Sequence, residues 1–149
     1  MSEPLNQSLP LSRRRGRGVS SNPTGRFERF NTIRVDDGWS GDPDADRPPL
    51  RTTVSIDASR SILTRNTSPD VPFDRSVNPY RGCEHGCVYC FARPSHAQLG
   101  LSPGLDFETK LTVKPRAPAL LSAALQKLGY RVAPIAIGTN TDPYQPIER

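Results

Sequence analysis

The chain of 149 residues contains three cysteines, and all of them lie within one stretch of eight residues. They are Cys83, Cys87 and Cys90, in the pattern C-x3-C-x2-C. An iron-sulfur cube that serves as an electron carrier takes four cysteine thiolates. Because the chain has no fourth cysteine, such a cube would keep one iron open to a small molecule. The motif therefore indicates a metal site that can do chemistry as well as transfer electrons.

Other uses of the cysteines stay open at this point. Zinc also accepts thiolates, and His85 or His96 would complete a tetrahedral site with the three cysteines, although both histidines are most simply polar loop residues. A disulfide framework is disfavoured, since three is an odd number and nothing marks the chain as secreted. Unligated core cysteines are disfavoured too, because glycines and charged residues flank the motif.

The flanking residues carry a resemblance to a known family. The cysteine spacing, with Tyr89 just before the third cysteine, resembles the cluster loop of the radical S-adenosylmethionine enzymes. Asn-Pro-Tyr-Arg-Gly at 78–82, Phe-Ala-Arg-Pro-Ser-His at 91–96 and Gly-Thr-Asn-Thr-Asp-Pro-Tyr-Gln-Pro at 138–146 look like the branch related to spore photoproduct lyase. The stretch 99–108 is similar to an uncharacterised bacterial family in that branch. The resemblance covers residues 76–149, and the first half of the chain contributes nothing to it.

The resemblance implies two cofactors and their ligands. Cys83, Cys87 and Cys90 would hold a 4Fe-4S cluster, and the amino and carboxylate groups of S-adenosylmethionine would bind the open iron. Tyr89 stands where the family places an aromatic residue near the adenine. In the family a Gly-Gly-Glu pattern often holds the amino group of the cofactor. Here the matching stretch is 138–142, which makes candidates of Thr139, Asn140, Thr141 and Asp142.

The same resemblance implies an activity and a source of electrons. A one-electron reductant of the flavodoxin or ferredoxin type would charge the cluster, and reductive cleavage of S-adenosylmethionine would start hydrogen abstraction from substrate. The enzyme would be lyase-like, its substrate is unknown, and no catalytic residue is assigned. Nucleic acid is one candidate substrate, because the related enzymes include a DNA lesion lyase.

The fold that the resemblance implies is an α/β fold, a partial (β/α)6 barrel. The chain is too short for a complete barrel of this kind, so we expect an N-terminal fragment that contains its first strands and helix. Residues 51–149 would form this incomplete barrel domain. Residues 1–50 show no sustained apolar period and are predicted to be a disordered tail.

The tail offers an alternative function. It contains eight basic and seven acidic side chains, so it is nearly neutral as a whole. A short basic cluster within it could contact nucleic acid phosphates, and it consists of Arg13, Arg14, Arg15 and Arg17. The rival hypothesis is therefore a non-enzymatic module that binds nucleic acid and is stabilised by zinc or an iron-sulfur cluster.

Periodicity predicts the elements that position the cysteines. Residues 51–57 suggest a strand outside the main sheet, 76–80 the first barrel strand, and 107–114 a half-exposed strand. Residues 117–128 predict a helix whose leucines face a core and which Gly129 closes. Residues 132–137 predict a buried parallel strand, which completes a β-α-β unit. Both loops would then lie at the barrel mouth, where active sites are found.

The composition of the chain indicates the cellular compartment in which we expect the protein. No apolar run approaches the roughly 18 residues needed to cross a membrane, and the N-terminus lacks an apolar signal core. We therefore expect a cytoplasmic protein without a membrane partner. A reducing compartment also suits free thiols and an oxygen-sensitive cluster. The 16 prolines predict that much of the chain is loop.

Overall fold

The computed structural model of the chain describes residues 17–30 and 50–148. Two sheets of three strands are formed. In the first, β1 (Thr53–Ile56) runs parallel to β5 (Lys110–Val113), and β4 (Tyr80–Arg81) pairs antiparallel on the other side of β5. In the second, β3 (Arg75–Val77) lies between antiparallel β2 (Leu63–Arg65) and parallel β6 (Ala136–Ile137). Within the described ranges these sheets are open, and the (β/α)6 barrel stays a prediction.

Four short helices accompany the strands in the described part of the chain. Two are α-helices, α1 (Leu105–Thr109) and α2 (Ala117–Leu125), and two are 3-10 helices, Arg93–Leu99 and Pro146–Glu148. Cys83, Ala92 and Phe107 form a buried apolar cluster, with Cys90 packed against it. None of the helices described is long and apolar enough to cross a membrane. The first cysteine of the motif is thus part of the core, whereas Cys87 is exposed.

The strand predicted at 51–57 is confirmed as β1. It lies in a different sheet from the parallel pair formed by β3 and β6. Four consecutive residues of β1 pair in register with β5, from Thr53 beside Lys110 to Ile56 beside Val113. The same sheet contains β4, the strand that leads directly into the cysteine motif.

The prediction of a single strand at 76–80 is wrong. This part of the chain forms two strands, β3 and β4, which belong to different sheets. Proline has no N–H to donate to a ladder, and Pro79 lies at the division. The Pro79 carbonyl instead accepts a 2.9 Å hydrogen bond from the Lys114 N–H. The chain turns from one sheet to the other directly before the cysteine motif.

The strand predicted at 107–114 is correct only in its second half. Residues 107–109 belong to α1, and β5 begins at Lys110. The Thr109 hydroxyl donates to the Leu105 carbonyl at 2.7 Å, which is a contact across one helical turn. Alternation would have exposed Glu108, but its side chain is fully buried against Arg93. A long-range ion pair decides the conformation here, and local periodicity cannot reveal it.

The helix predicted at 117–128 ends at Leu125, and its leucines are not core residues. No residue of α2 is buried. Leu125 is half-exposed and Leu128, beyond the helix, is fully exposed. An apolar stripe is buried only where another apolar surface faces it, and the described residues leave this stripe accessible. Gly129 does adopt the left-handed conformation, with φ of +79°, in the turn that follows.

The strand predicted at 132–137 is shortened to β6, and Val132 is almost fully exposed. Pro134 interrupts the segment and cannot donate to a ladder. The parallel partner of β6 is β3, whereas β5 lies in the other sheet, so β5, α2 and β6 do not form the predicted β-α-β unit. The Gly138 N–H donates to the Val77 carbonyl at 3.0 Å and continues the β3 pairing. The segments that follow β3 and β6 consequently start side by side.

Residues 17–25, which belong to the predicted tail, contact the cysteine loop and α1 through hydrogen bonds described below. These contacts use backbone groups and polar side chains, so a search for apolar periods does not detect them. The predicted tail residues at 1–16 and 31–49, including Arg13, Arg14 and Arg15, lie outside the described residues. The domain boundary at residue 50 stays a prediction.

Candidate metal and cofactor site

The cysteine loop begins at a glycine that must adopt a left-handed backbone. Gly82 has φ of +77°, and a Cβ there would lie 3.0 Å from the Phe107 carbonyl oxygen. The next N–H, that of Cys83, donates to the same carbonyl at 2.9 Å. Gly86, between the first two cysteines, also has positive φ, at +66°. The glycines thus let the backbone turn tightly around the thiols, as their positions in the motif predict.

The second loop, residues 138–142, is folded by Asn78 at the end of β3. The side-chain Oδ1 of Asn78 accepts a 2.8 Å hydrogen bond from the Asn140 N–H, and the side-chain Nδ2 of Asn78 donates to the Thr139 hydroxyl at 3.1 Å. Gly138 has φ of +74°, and a Cβ there would lie 2.5 Å from the Pro143 ring. One side chain at the end of β3 therefore sets the conformation of the loop that follows β6.

The two loops line one cavity of about 520 Å³. This volume lies within the range of about 300–1,000 Å³ that is typical of small-molecule sites. One wall is formed by the cysteine loop, through Cys83, His85, Cys87, Cys90, Phe91 and Ala92. The facing wall consists of Gly138, Thr139, Asn140, Thr141 and Asp142. The structure therefore brings seven of the eight sequence-predicted site residues to one place.

The eighth, Tyr89, does not line the cavity. Its side chain is 87% exposed, whereas Phe91, two residues further on, is one of the lining residues. Both flank the third cysteine, and the sequence alone does not distinguish which aromatic ring turns toward the cavity. The role predicted for Tyr89 in adenine binding stays a prediction, and Phe91 is an aromatic residue of this site that the sequence reasoning missed.

All three thiols are free, and they differ in exposure. Cys83 is buried, Cys90 is intermediate and Cys87 is exposed. No group of three or more His, Cys, Asp or Glu side chains in the described ranges converges closely enough to hold a single metal ion. The three thiols line the same cavity. Three soft sulfurs form a donor set that suits an iron-sulfur cluster or zinc.

The two histidines take different places. His85 lines the cavity, and its Nε2 lies 3.5 Å from Asp142 Oδ2 and donates to the Tyr144 carbonyl at 3.0 Å. His96 is buried edge-on against Phe107, with ring centroids 5.5 Å apart, and is not a lining residue. His85 is therefore the histidine that shares the cavity with the thiols.

Arg81, two residues before Cys83, forms an ion pair with Asp57. Its Nε lies 3.4 Å from Asp57 Oδ2, and Lys114 Nζ lies 3.9 Å from the same oxygen. Burial raises the pKa of Asp57, but hydrogen bonds from Ser59 and these two cations outweigh it, so the pKa lies below its ordinary value of 3.8. Arg81 is thus engaged in an ion pair outside the cavity.

The polar side chains of the second loop differ in burial and in hydrogen bonding. Thr141 is buried, and its hydroxyl donates to the Tyr80 carbonyl at 3.0 Å. Asp142 is exposed, and one of its oxygens accepts a 2.8 Å hydrogen bond from the Tyr144 N–H. Asn140 is exposed as well. Asn140 therefore has an exposed side chain at the cavity, and the exposed Asp142 carboxylate contacts the Tyr144 N–H and His85, whereas Thr141 mainly holds the loop in place.

Three buried residues whose roles the sequence analysis did not predict position the cysteine loop, and they are Gln145, Arg93 and Glu108. Gln145 is buried and bridges the second loop to Cys83 and Glu84. Arg93 donates to the carbonyls of Gly86 and Cys87, at 2.7 and 2.8 Å, and forms an ion pair with buried Glu108. The signal available in the sequence was an arginine and a glutamate close to the motif, but their partnership depends on the fold.

Comparison with known proteins finds relatives in mycobacteria. Uncharacterised proteins of Mycobacterium tuberculosis and Mycobacterium bovis are 50% identical to this chain over 78 residues. The matched segment is 52% of this chain, and the chain covers 23% of the length of these relatives. No protein-family model and no solved structure matches the chain. The similarity thus connects the chain to longer proteins whose names state no activity.

Proposed function

We propose that this chain carries the cofactor site of a radical S-adenosylmethionine enzyme. The observation that supports the proposal is the shared cavity, in which three free cysteines face the polar loop at 138–142. Three thiolates would hold three corners of a 4Fe-4S cluster, and the chain has no fourth cysteine for the remaining iron. A ligand of that iron would then contact the loop at 138–142, which lines the same cavity.

The residues that line the cavity have different roles in the proposed site. Cys83, Cys87 and Cys90 are the cluster ligands. Asn140 and Asp142 offer exposed oxygen atoms to an ammonium group, and the Asp142 carboxylate adds an opposite charge. Phe91 contributes an aromatic surface to the same cavity, and its 80% exposure leaves the ring free to pack against a ligand.

Bound at this site, the cluster and S-adenosylmethionine would together supply reductive carbon-sulfur cleavage and hydrogen abstraction from substrate. The protein would position the cofactor and exclude water. Cys83 is buried in the apolar cluster with Ala92 and Phe107, so this ligand is shielded from solvent. The exposed Cys87 marks the side from which an external electron donor approaches.

The proposal extends to partners and compartment. The electron donor is a one-electron reductant of the flavodoxin or ferredoxin type, and the protein acts in the cytoplasm, where thiols remain reduced. The reaction is lyase-like and nucleic acid is a candidate substrate, but the site residues do not fix the substrate class, since one site can serve many substrates.

Anaerobic reconstitution with iron and sulfide tests the proposal. We expect about four irons per chain, as in a cube, and broad visible absorption from thiolate-ligated iron. Adding S-adenosylmethionine to the reduced protein should change the paramagnetic resonance spectrum. A colourless protein that holds one zinc would replace the proposal with the zinc module. If the paramagnetic resonance spectrum of the cluster does not change at saturating S-adenosylmethionine, the radical mechanism is excluded at this site.

A further inference from the structure

An extended segment near the N-terminus lies against the cysteine loop, and we name residues 17–24 the N-terminal strap. Three consecutive N–H groups of the strap donate to the side-chain carboxylate of Glu108. The distances are 2.8 Å from Arg17, 3.1 Å from Gly18 and 3.1 Å from Val19. Charge-assisted hydrogen bonds of this kind are about twice as strong as neutral ones. One buried carboxylate therefore binds the strap through its backbone.

The same carboxylate connects the strap to the cysteine loop. Arg93 Nη2 lies 2.5 Å from Glu108 Oε1, and both side chains are buried. Arg93 in turn donates to the carbonyls of Gly86 and Cys87. The backbone between the first and second cysteines is thus held by a chain of contacts that begins at the strap.

Direct contact adds to this indirect connection. The Arg17 guanidinium donates to Glu84 at 2.9 Å and to the Glu108 carbonyl at 2.6 Å. A Cβ on Gly18 would lie 1.7 Å from the Gly86 carbonyl oxygen, a distance that no side chain can occupy. Position 18 must therefore be glycine for the strap to approach the loop this closely.

A second anchor fixes the other end of the strap. The Asn22 side chain donates to Asp106 Oδ1 at 3.0 Å and accepts from the Asp106 N–H at 2.9 Å. The Leu105 N–H donates to the Ser21 carbonyl at 3.1 Å. The strap is consequently attached at both ends to α1, whose residues also contact the cysteine loop.

We infer that the N-terminal strap is a positioning element for the metal-binding loop. Through Glu108 and Arg93 it holds the Gly86–Cys87 backbone in the conformation that presents the thiols to the cavity. Ordering a loop before the ligand arrives removes an entropy cost from binding. The inference rests on the proposed function for the identity of the bound group, but the positioning of the cysteines is measurable without any metal.

The first experiment uses the metal-free chain and compares Gly18→Ala with Gly25→Ala. A Cβ at Gly25 meets only Ala97 Cβ at 3.4 Å and the end of the Glu28 side chain, so this variant is the matched control. Alkylation of each cysteine is followed by mass spectrometry, with exposed Cys87 as the internal reference. We expect Gly18→Ala to raise the rate at buried Cys83 by about tenfold, because local opening controls access to a buried thiol.

The second experiment reconstitutes the cluster in the same variants. Gly18→Ala should lose most bound iron or alter the paramagnetic resonance spectrum, whereas Gly25→Ala should match the unmodified chain. Removal of residues 1–24 should reproduce the loss, and removal of residues 1–16 should not. Arg17→Ala, which changes a partly exposed side chain, provides the same comparison in a variant whose core is intact.

The outcomes separate the two proposals. If Gly18→Ala, Arg17→Ala and the 1–24 deletion all alkylate and bind iron like the unmodified chain, the strap does not position the loop. If the unmodified chain binds no cluster, the proposed function fails, while the alkylation rates still decide the role of the strap. Equal acceleration in Gly18→Ala and Gly25→Ala would indicate general destabilisation and would also overturn the inference.

Discussion

The side-chain amide of Gln145 lies 3.4 Å from the sulfur of Cys83, to which its Nε2 donates a hydrogen bond. The same side chain accepts a 3.1 Å hydrogen bond from the Glu84 N–H and donates to the Asp142 carbonyl at 2.8 Å. Gln145 is buried and therefore connects the loop after β6 to the first cysteine inside the protein. Hydrogen bonds to ligand sulfurs tune the potential of a cluster.

Gln145→Leu should lower the reduction potential of the reconstituted cluster. Loss of the N–H to sulfur contact leaves more negative charge on the thiolate, which disfavours the extra electron. The expected shift is about 40 mV, since a hydrogen bond contributes about 1 kcal/mol and about 59 mV corresponds to a tenfold change for one electron. Redox titration of the visible spectrum measures it. Gln98→Leu, at an exposed position, is the control, and an equal shift there would contradict the assignment.

Replacing Cys83, Cys87 or Cys90 with alanine should abolish stable cluster binding, because two thiolates cannot hold a cube against solvent. His85→Ala and His96→Ala should retain the iron. The measurement is iron and sulfide per chain after anaerobic reconstitution and desalting. Loss of metal in His85→Ala as complete as in the cysteine variants would support the zinc site with a histidine ligand.

Asp142→Asn should weaken the response of the reduced cluster to S-adenosylmethionine. Asparagine keeps the oxygen that accepts from the Tyr144 N–H, so the turn is preserved, while the negative charge beside the cavity and His85 is removed. Loss of a charged partner in a hydrogen bond costs about 1.5–3 kcal/mol, or roughly ten- to a hundredfold in apparent affinity. Titration of the paramagnetic resonance change measures it, with Asp70→Asn at an exposed site as the control. An unaltered affinity would remove Asp142 from the cofactor site.

The metal-free protein should lose stability on mild acidification because of His96. Burial lowers the pKa of His96 below its ordinary value of 6.5, although the charge of Asp106 opposes the shift. As the folded pKa is depressed, the unfolded state binds the proton first. The stabilisation is complete above the unfolded pKa of about 6.5 and is lost as the pH falls through the folded pKa.

Urea unfolding at about pH 7.5 and about pH 5.5 measures this effect. The free energy of unfolding should fall less between these two conditions in His96→Leu than in the unmodified chain. Gln98→Leu, at an exposed side chain that does not titrate, should keep the full dependence. If His96→Leu and the unmodified chain lose equal stability, His96 is not the group responsible.

The number and spacing of the cysteines are local properties, so the sequence alone identified a three-thiol motif and its turn-forming glycines. The 138–142 loop lies beside that motif because strands that pair in parallel, here β3 and β6, deliver the following segments to the same side. The β-α-β unit and barrel mouth from which the sequence predicted this proximity are not the arrangement that produces it. The individual strand boundaries were less accurate, since Pro79 ends the pairing of β3 early and Pro134 delays the start of β6.

The tertiary structure decided the contacts between residues distant in the chain. Glu108 occupies a position that alternation assigns to solvent, but Arg93 and three N–H groups of the strap compensate its charge in the interior. The strap has no apolar period, and its attachment depends on backbone hydrogen bonds, which every residue except proline can make. Sequence patterns report which side chains avoid water. They do not report which buried carboxylate a distant backbone will reach, and that partnership holds the cysteine loop.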